Sequence, residues 1–199
     1  MSTTRYIVDN QSEQTINNEP ILRPYKVYTA LLTQSGGDSI LEITTGDLTI
    51  GVTYEIYEAA GGAEGFDFTN VGAPNNNLGT FFVATGTTPN SWGNNNIGLR
   101  YNEGAPVVTV LENTIGNIWF TFFDTGRYYA NSNELFTDNK TAVFGGYNDA
   151  DTVVYVNYIS GNNSNSGIYI QTGDPAASNG YLNNTPIEIR VYNTPELPS

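Results

Sequence analysis

From Tyr25 onward, apolar and polar positions alternate with a period of two, the pattern of strands that pack one face and wet the other. The clearest stretch is 186–192, where Ile187, Ile189 and Val191 alternate with Glu188, Arg190 and Tyr192; in 52–58, Val52, Tyr54 and Ile56 alternate with Thr53, Glu55 and Tyr57. Segments 26–33, 40–45, 107–111, 117–123, 127–130, 141–144, 152–160 and 167–172 read as further strands, and 80–85 as a short, buried apolar one. Gly36-Gly37-Asp38, Gly46-Asp47 and Gly51 lie between such segments, where tight turns need them. No segment carries the 3.6-residue period of an amphipathic helix. About ten strands with frequent turn signals predict an all-β fold, an antiparallel β-sandwich or jelly-roll-like arrangement with long Asn- and Gly-rich loops.

Two stretches depart from this pattern. Residues 59–96 are broken by Gly61-Gly62, Pro74-Asn75-Asn76-Asn77 and Asn94-Asn95-Asn96 and read as long surface loops. Phe66, Phe68 and Val71 would anchor them to the sheet, with Gly72 and Gly86 at positions other residues disfavour; the alternative is a ligand groove floored by Trp92. Residues 1–24 are polar with isolated apolar positions (Tyr6, Ile7, Val8, Ile16) and cannot bury enough surface to fold alone. They read as an extended N-terminal arm before a β-sandwich domain at 25–199. The arm is either a disordered terminus or a strand that adds to the open sheet edge of a neighbouring subunit.

Composition narrows the chemistry. With no Cys among the 199 residues there is no disulfide, thiol nucleophile or thiolate metal site, and with no His the commonest acid, base and metal ligand is missing. Seven Lys and Arg against 20 Asp and Glu give a net charge of −13. The seven (Arg5, Arg23, Lys26, Arg100, Arg127, Lys140, Arg190) are dispersed, which argues against nucleic acid and anionic membranes as partners. No apolar run approaches the roughly 20 residues of a bilayer span. The N-terminus lacks the apolar core of a secretory signal, so the expectation is synthesis in a cytoplasm, with the sequons at Asn10, Asn139, Asn162 and Asn183 arising by chance in a chain rich in Asn, Ser and Thr.

What remains for chemistry is oxygen. Asp149-Ala150-Asp151 beside Asn148, and Glu64 with Asp67, could offer carboxylates to Ca²⁺, but neither has the spaced series that makes an EF-type loop, so the expectation is solvated turns, no metal and no cofactor. Glycoside hydrolysis would need two acids facing one another across a sugar, which no spacing here identifies; the chain reads as non-enzymatic. Aromatic residues make up 13% of the chain. Flat rings beside Asn amides on loops suit protein contacts or carbohydrate, and Trp92, Tyr101, Tyr128, Tyr129, Tyr147 and Tyr181 are the candidate contact residues.

Three segments resemble modules of tailed-bacteriophage structural proteins, especially those of Bacteroidetes-type hosts. The first is Tyr25-Lys26-Val27-Tyr28-Thr29-Ala30-Leu31-Leu32-Thr33-Gln34-Ser35-Gly36. The second runs from Phe66-Asp67-Phe68-Thr69-Asn70-Val71-Gly72-Ala73 to Phe82-Val83-Ala84-Thr85-Gly86-Thr87-Thr88-Pro89 and Trp92-Gly93. The third is Val107-Val108-Thr109-Val110-Leu111-Glu112-Asn113-Thr114-Ile115-Gly116, with Trp119 and Phe136-Thr137-Asp138-Asn139-Lys140-Thr141 behind it. The resemblance covers roughly the middle half of the chain and carries no catalytic residues. It implies a virion protein of the head-decoration, head-fibre or tail-associated kind, made in the host cytoplasm. Such a protein would bind copies of itself, as a trimer if fibre-like, and other virion proteins. The alternative is a receptor- or glycan-binding module of a tail or fibre tip.

Overall fold

The alternating segments pair as antiparallel sheets in the computed structural model, which describes residues 23–34, 36–94, 96–146, 154–159, 167–173 and 179–193. Residues 1–22, most of the expected arm, lie outside this set, as do Tyr147, Asp149 and Asp151. In chain order the strands are β1 (Tyr25–Thr33), β2 (Ile40–Ile43), β3 (Thr53–Glu58), β4 (Phe66–Asp67), β5 (Phe81–Val83), β6 (Ser91–Trp92) and β7 (Ile97–Asn102). They continue as β8 (Val107–Asn113), β9 (Ile118–Asp124), β10 (Arg127–Ser132), β11 (Thr141–Gly145), β12 (Val154–Ile159), β13 (Gly167–Thr172) and β14 (Thr185–Tyr192). The one helical element among the described residues is a 3₁₀ turn, Thr69–Val71.

Two four-stranded sheets, ordered β11-β14-β1-β8 and β12-β13-β10-β9, form a sandwich. Period two explains the core between them. Tyr28, Ala30 and Leu32 of β1 and Ile187, Ile189 and Val191 of β14 point inward from one sheet; Phe120, Tyr128, Ala130, Ile168 and Ile170 meet them from the other. The registers match, with Ala30 opposite Ile187 and Tyr28 opposite Ile189, so each apolar row is continuous across its sheet.

Between β1 and β8, which are direct neighbours, the chain leaves the sandwich and builds a third sheet, β2-β7-β3-β5, with a β4-β6 ribbon against it. This insertion has its own cluster: Tyr54, Ile56, Phe82, Ile97 and Leu99 from the sheet, and Phe68, Val71 and Ala73 from the segment around the 3₁₀ turn. Residues 59–96, expected as loops around a strand at 80–85, hold β5 in that strand and also β4, β6 and the turn, with Phe68 and Val71 buried as anchors.

Strand β7 is the larger departure from expectation. Ile97, Leu99 and Tyr101 do alternate with Gly98, Arg100 and Asn102, but Gly98 and the preceding Asn triplet obscure the pattern. In the fold β7 is a central strand, and the Tyr57 ring of β3 lies over Gly98, where any Cβ would stand 2.4 Å from Tyr57 Cε1. The ring supplies the packing that the missing side chain does not.

The two units meet along β9. The Phe81 ring stacks parallel on Trp119 at 5.7 Å, Asn117 Nδ2 donates to the Phe81 carbonyl at 2.8 Å, and the Phe120 N–H donates to Thr53 Oγ1 at 3.2 Å. At the edge of the sandwich, the Val108 N–H donates to the Gly51 carbonyl at 2.9 Å. Gly51 has φ +86°, and a Cβ there would lie 2.5 Å from the Val108 carbonyl oxygen, so both its conformation and its contact require glycine.

Candidate functional site

Three surfaces gather chemistry. The first is the outer face of the β11-β14-β1-β8 sheet. Register places Val27 opposite Arg190, Tyr25 opposite Tyr192 and Phe144 opposite Glu188, so these side chains share a face. The Arg190 guanidinium lies 4.7 Å from the centre of the Tyr25 ring and 4.9 Å from that of Phe144, held between two π faces and hydrogen-bonded through Nε to Glu188. Tyr192 continues the row, its ring 5.3 Å from Tyr25. Phe144 is 49% exposed, so the row ends in open aromatic surface. Exposed Val110 and Leu111 lie on edge strand β8, beside a register shift opposite Thr29 and Ala30. That irregularity and the Gly51 bond shorten the edge available to an added strand.

The second surface, on the opposite sheet, is also aromatic: Tyr129 packs edge-on to Phe123 at 5.4 Å and against Tyr169 at 5.7 Å.

The third is a cleft of about 260 Å³ where the inserted sheet faces β9. Ile40, Thr53, Glu55, Phe81, Arg100 and Asn102 line one side; Phe120, Thr121 and Phe122 line the other. Glu55 and Arg100 are cross-strand partners on β3 and β7, and Arg100 donates from Nε to Glu55 Oε2 at 2.6 Å and from Nη2 to Oε1 at 2.8 Å. These bonds raise the guanidinium pKa further, so Arg100 stays charged. Glu42, opposite Arg100 on β2, places a second carboxylate beside it.

Of the residues expected from sequence, Tyr101 alone lines this cleft, packed edge-on against Tyr54 and with burial raising its phenol pKa. Tyr129 belongs to the second surface, and Tyr181 is exposed outside both aromatic rows. Trp92 is half-buried against Phe68, and its Nε1 donates to the Gly46 carbonyl at 3.2 Å, so it holds the insertion together rather than flooring a groove. Tyr128 is a correction: it is fully buried, and desolvation pushes its phenol up to about 12. Its neighbour Tyr129 takes the outward position because successive residues of a strand alternate faces. Tyr147 lies outside the described residues. Sequence reading missed Arg100, Glu55, Phe122, Phe144 and Arg190. The alternation in 97–102 would have flagged Arg100, but the pairings span 45 residues in one case and the full sandwich in the other.

The Asp67 carboxylate is bonded within its own segment of the chain. Asp67 accepts from the Thr69 N–H (2.9 Å), Thr69 Oγ1 (2.7 Å), Asn76 Nδ2 (3.2 Å) and Asn90 Nδ2 (2.9 Å). These donors hold it far below the usual carboxylate range. It organises the loop around the 3₁₀ turn. Among the described residues no three Asp or Glu converge as a metal site would require. No family model, curated protein or solved structure matches the chain.

Proposed function

We propose that the chain is a non-enzymatic structural protein of a bacteriophage virion, which assembles with copies of itself and attaches to the capsid or tail. The three segments named above support the virion reading by resemblance. The structural observation that carries self-assembly is the Phe144–Arg190–Tyr25–Tyr192 row on an outer sheet face. Tyr, Phe and Arg are the residues enriched where proteins meet, and a guanidinium already fixed between rings loses little freedom on contact. The surface is acidic on the whole, with a net charge of −13, which limits non-specific association while the aromatic row makes the specific one.

The test is the mass of the intact chain by light scattering, alone and with Phe144→Glu. Phe144 touches Arg190 and faces Glu188, so the variant's fold is checked by its melting curve; the expected outcome is a closed oligomer that the still-folded variant shifts to monomer. A wild-type chain that stays monomeric through the micromolar range, and is not recovered stoichiometrically in purified particles, overturns the proposal. The second reading, a receptor- or glycan-binding module of a tail or fibre tip, draws on one observation, the cleft between the insertion and β9.

A further inference from the structure

We infer that the cleft between the inserted sheet and β9 is a binding site for a neutral sugar ring, with Arg100 and Glu55 as its hydroxyl-reading pair. This rests on the glycan-binding reading and gives that reading a site.

The first argument is the count of donors and acceptors. A guanidinium has five N–H groups, and Glu55 takes two of them. The Nη1 pair and the second N–H of Nη2 have no hydrogen-bond partner among the described residues, and the guanidinium lies 5.7 Å from the centre of the Tyr57 ring. Each Glu55 oxygen accepts one bond from Arg100 and retains a lone pair. Donors and acceptors therefore lie side by side on one wall of the cleft. Vicinal hydroxyls, each of which both donates and accepts, are the ligand groups that satisfy such an arrangement.

Charge decides against ionic ligands. An anion approaching Arg100 meets Glu55 and, beside it, Glu42; a cation approaching Glu55 meets Arg100. The ion pair is also preorganised: Glu55 is only 16% exposed and its fork geometry fixes the guanidinium plane. A neutral polar ligand gains from such a pair without opposing either charge.

The walls and the size supply the remainder. The half-buried Phe81 and Phe122 present apolar surface for the C–H face of a pyranose, with Phe81 held in place by its stack on Trp119. At about 260 Å³ the cleft falls below the range of drug-sized pockets, which suits a single sugar ring or the end of a chain. Of the described aromatics expected from sequence, Tyr101 lines the cleft, while Trp92 and Tyr181 lie elsewhere.

The experiment is titration of the intact isotopically labelled chain with the methyl glycosides of glucose, galactose, mannose and N-acetylglucosamine, and with glucuronate. Two variants accompany it: Arg100→Lys, which keeps the ion pair but removes the fork, and Glu55→Gln, which keeps the shape of the side chain but turns one of its acceptors into a donor. The expected result is saturable shifts at Arg100, Glu55, Thr121 and Phe122 for at least one neutral glycoside. Its affinity should fall about tenfold or more in Arg100→Lys, the worth of a charge-assisted hydrogen bond, and glucuronate should bind more weakly. Binding that maps to Trp92 or Tyr181, or that both variants leave unchanged, overturns the cleft assignment while the glycan-binding reading stands. Tighter binding of glucuronate overturns the neutral-ligand assignment. No binding by any sugar overturns both.

Discussion

Asp67 shows how a single side chain does structural work on this acidic surface. Four donors from three residues converge on its carboxylate, so the loop between β4 and β6 is fixed by polar contacts around one charge. Because its pKa is lowered on folding, its stabilising contribution is complete above the unfolded carboxylate value, about 4, and is lost as pH falls from there toward the folded value. The Asp67→Asn protein should therefore melt below the wild type at pH 7, and the gap should narrow as pH drops below about 4. Thermal melts of both proteins across that range check it; a gap constant with pH would mean the charge does not hold the loop. The sequence offers Asp67 with Glu64 as possible oxygen ligands and predicts a solvated turn instead. What it could not see is that Thr69 sits two residues away as a local cap, while Asn76 and Asn90 come from further along the chain and already occupy the carboxylate.

Among the elements, β9 is the one that joins the sandwich core to the insertion. Phe120 belongs to the sandwich core, while Trp119 and Asn117 bind Phe81 of the insertion and the Phe120 N–H binds Thr53. A defect at Trp119 should therefore be felt on both sides. Trp119→Ala is expected to cost about 3–5 kcal/mol by denaturant titration, as for a large buried aromatic. Amide exchange should quicken in β3 and β5 as well as in β9, and unchanged exchange in β3 and β5 would show that the stack does not couple the units. Strand β9 was legible because its apolar run is long. Strand β7 was not, since its alternation is interrupted by Gly98, and a glycine in a strand acquires its packing partner, here Tyr57, from another strand.

For the whole molecule, the relation of the ends to the core matters most. Among the described residues the two buried clusters begin at Tyr28, and Arg23 is tied to Glu112 by a 2.8 Å ion pair. Removal of residues 1–22 should thus leave the melting temperature within a few degrees of the full chain while weakening assembly. Melts with light scattering on both forms check this: loss of the fold would place these residues in the core, and unchanged assembly would remove the arm from the interface. Chain order also explains the cleft. An insertion between two adjacent strands of one sheet must stay beside that sheet, and here it folds against β9 so that an alternating, partly polar face is left opposite aromatic residues.

The amino-acid sequence by itself determined the all-β class, most strand positions, the absence of thiol and imidazole chemistry, and the acidic surface. Each of these depends on composition or on a period of two, which are local properties. Only the tertiary structure decided that residues 34–106 are an insertion with its own cluster, that Tyr128 faces inward while Tyr129 faces out, and that Arg100 meets Glu55 and Arg190 lies between Tyr25 and Phe144. Those outcomes depend on register and on which sheet faces which. A one-residue slip in pairing reverses every side chain of a strand, so only the packing of the whole chain selects among the registers that the pattern allows.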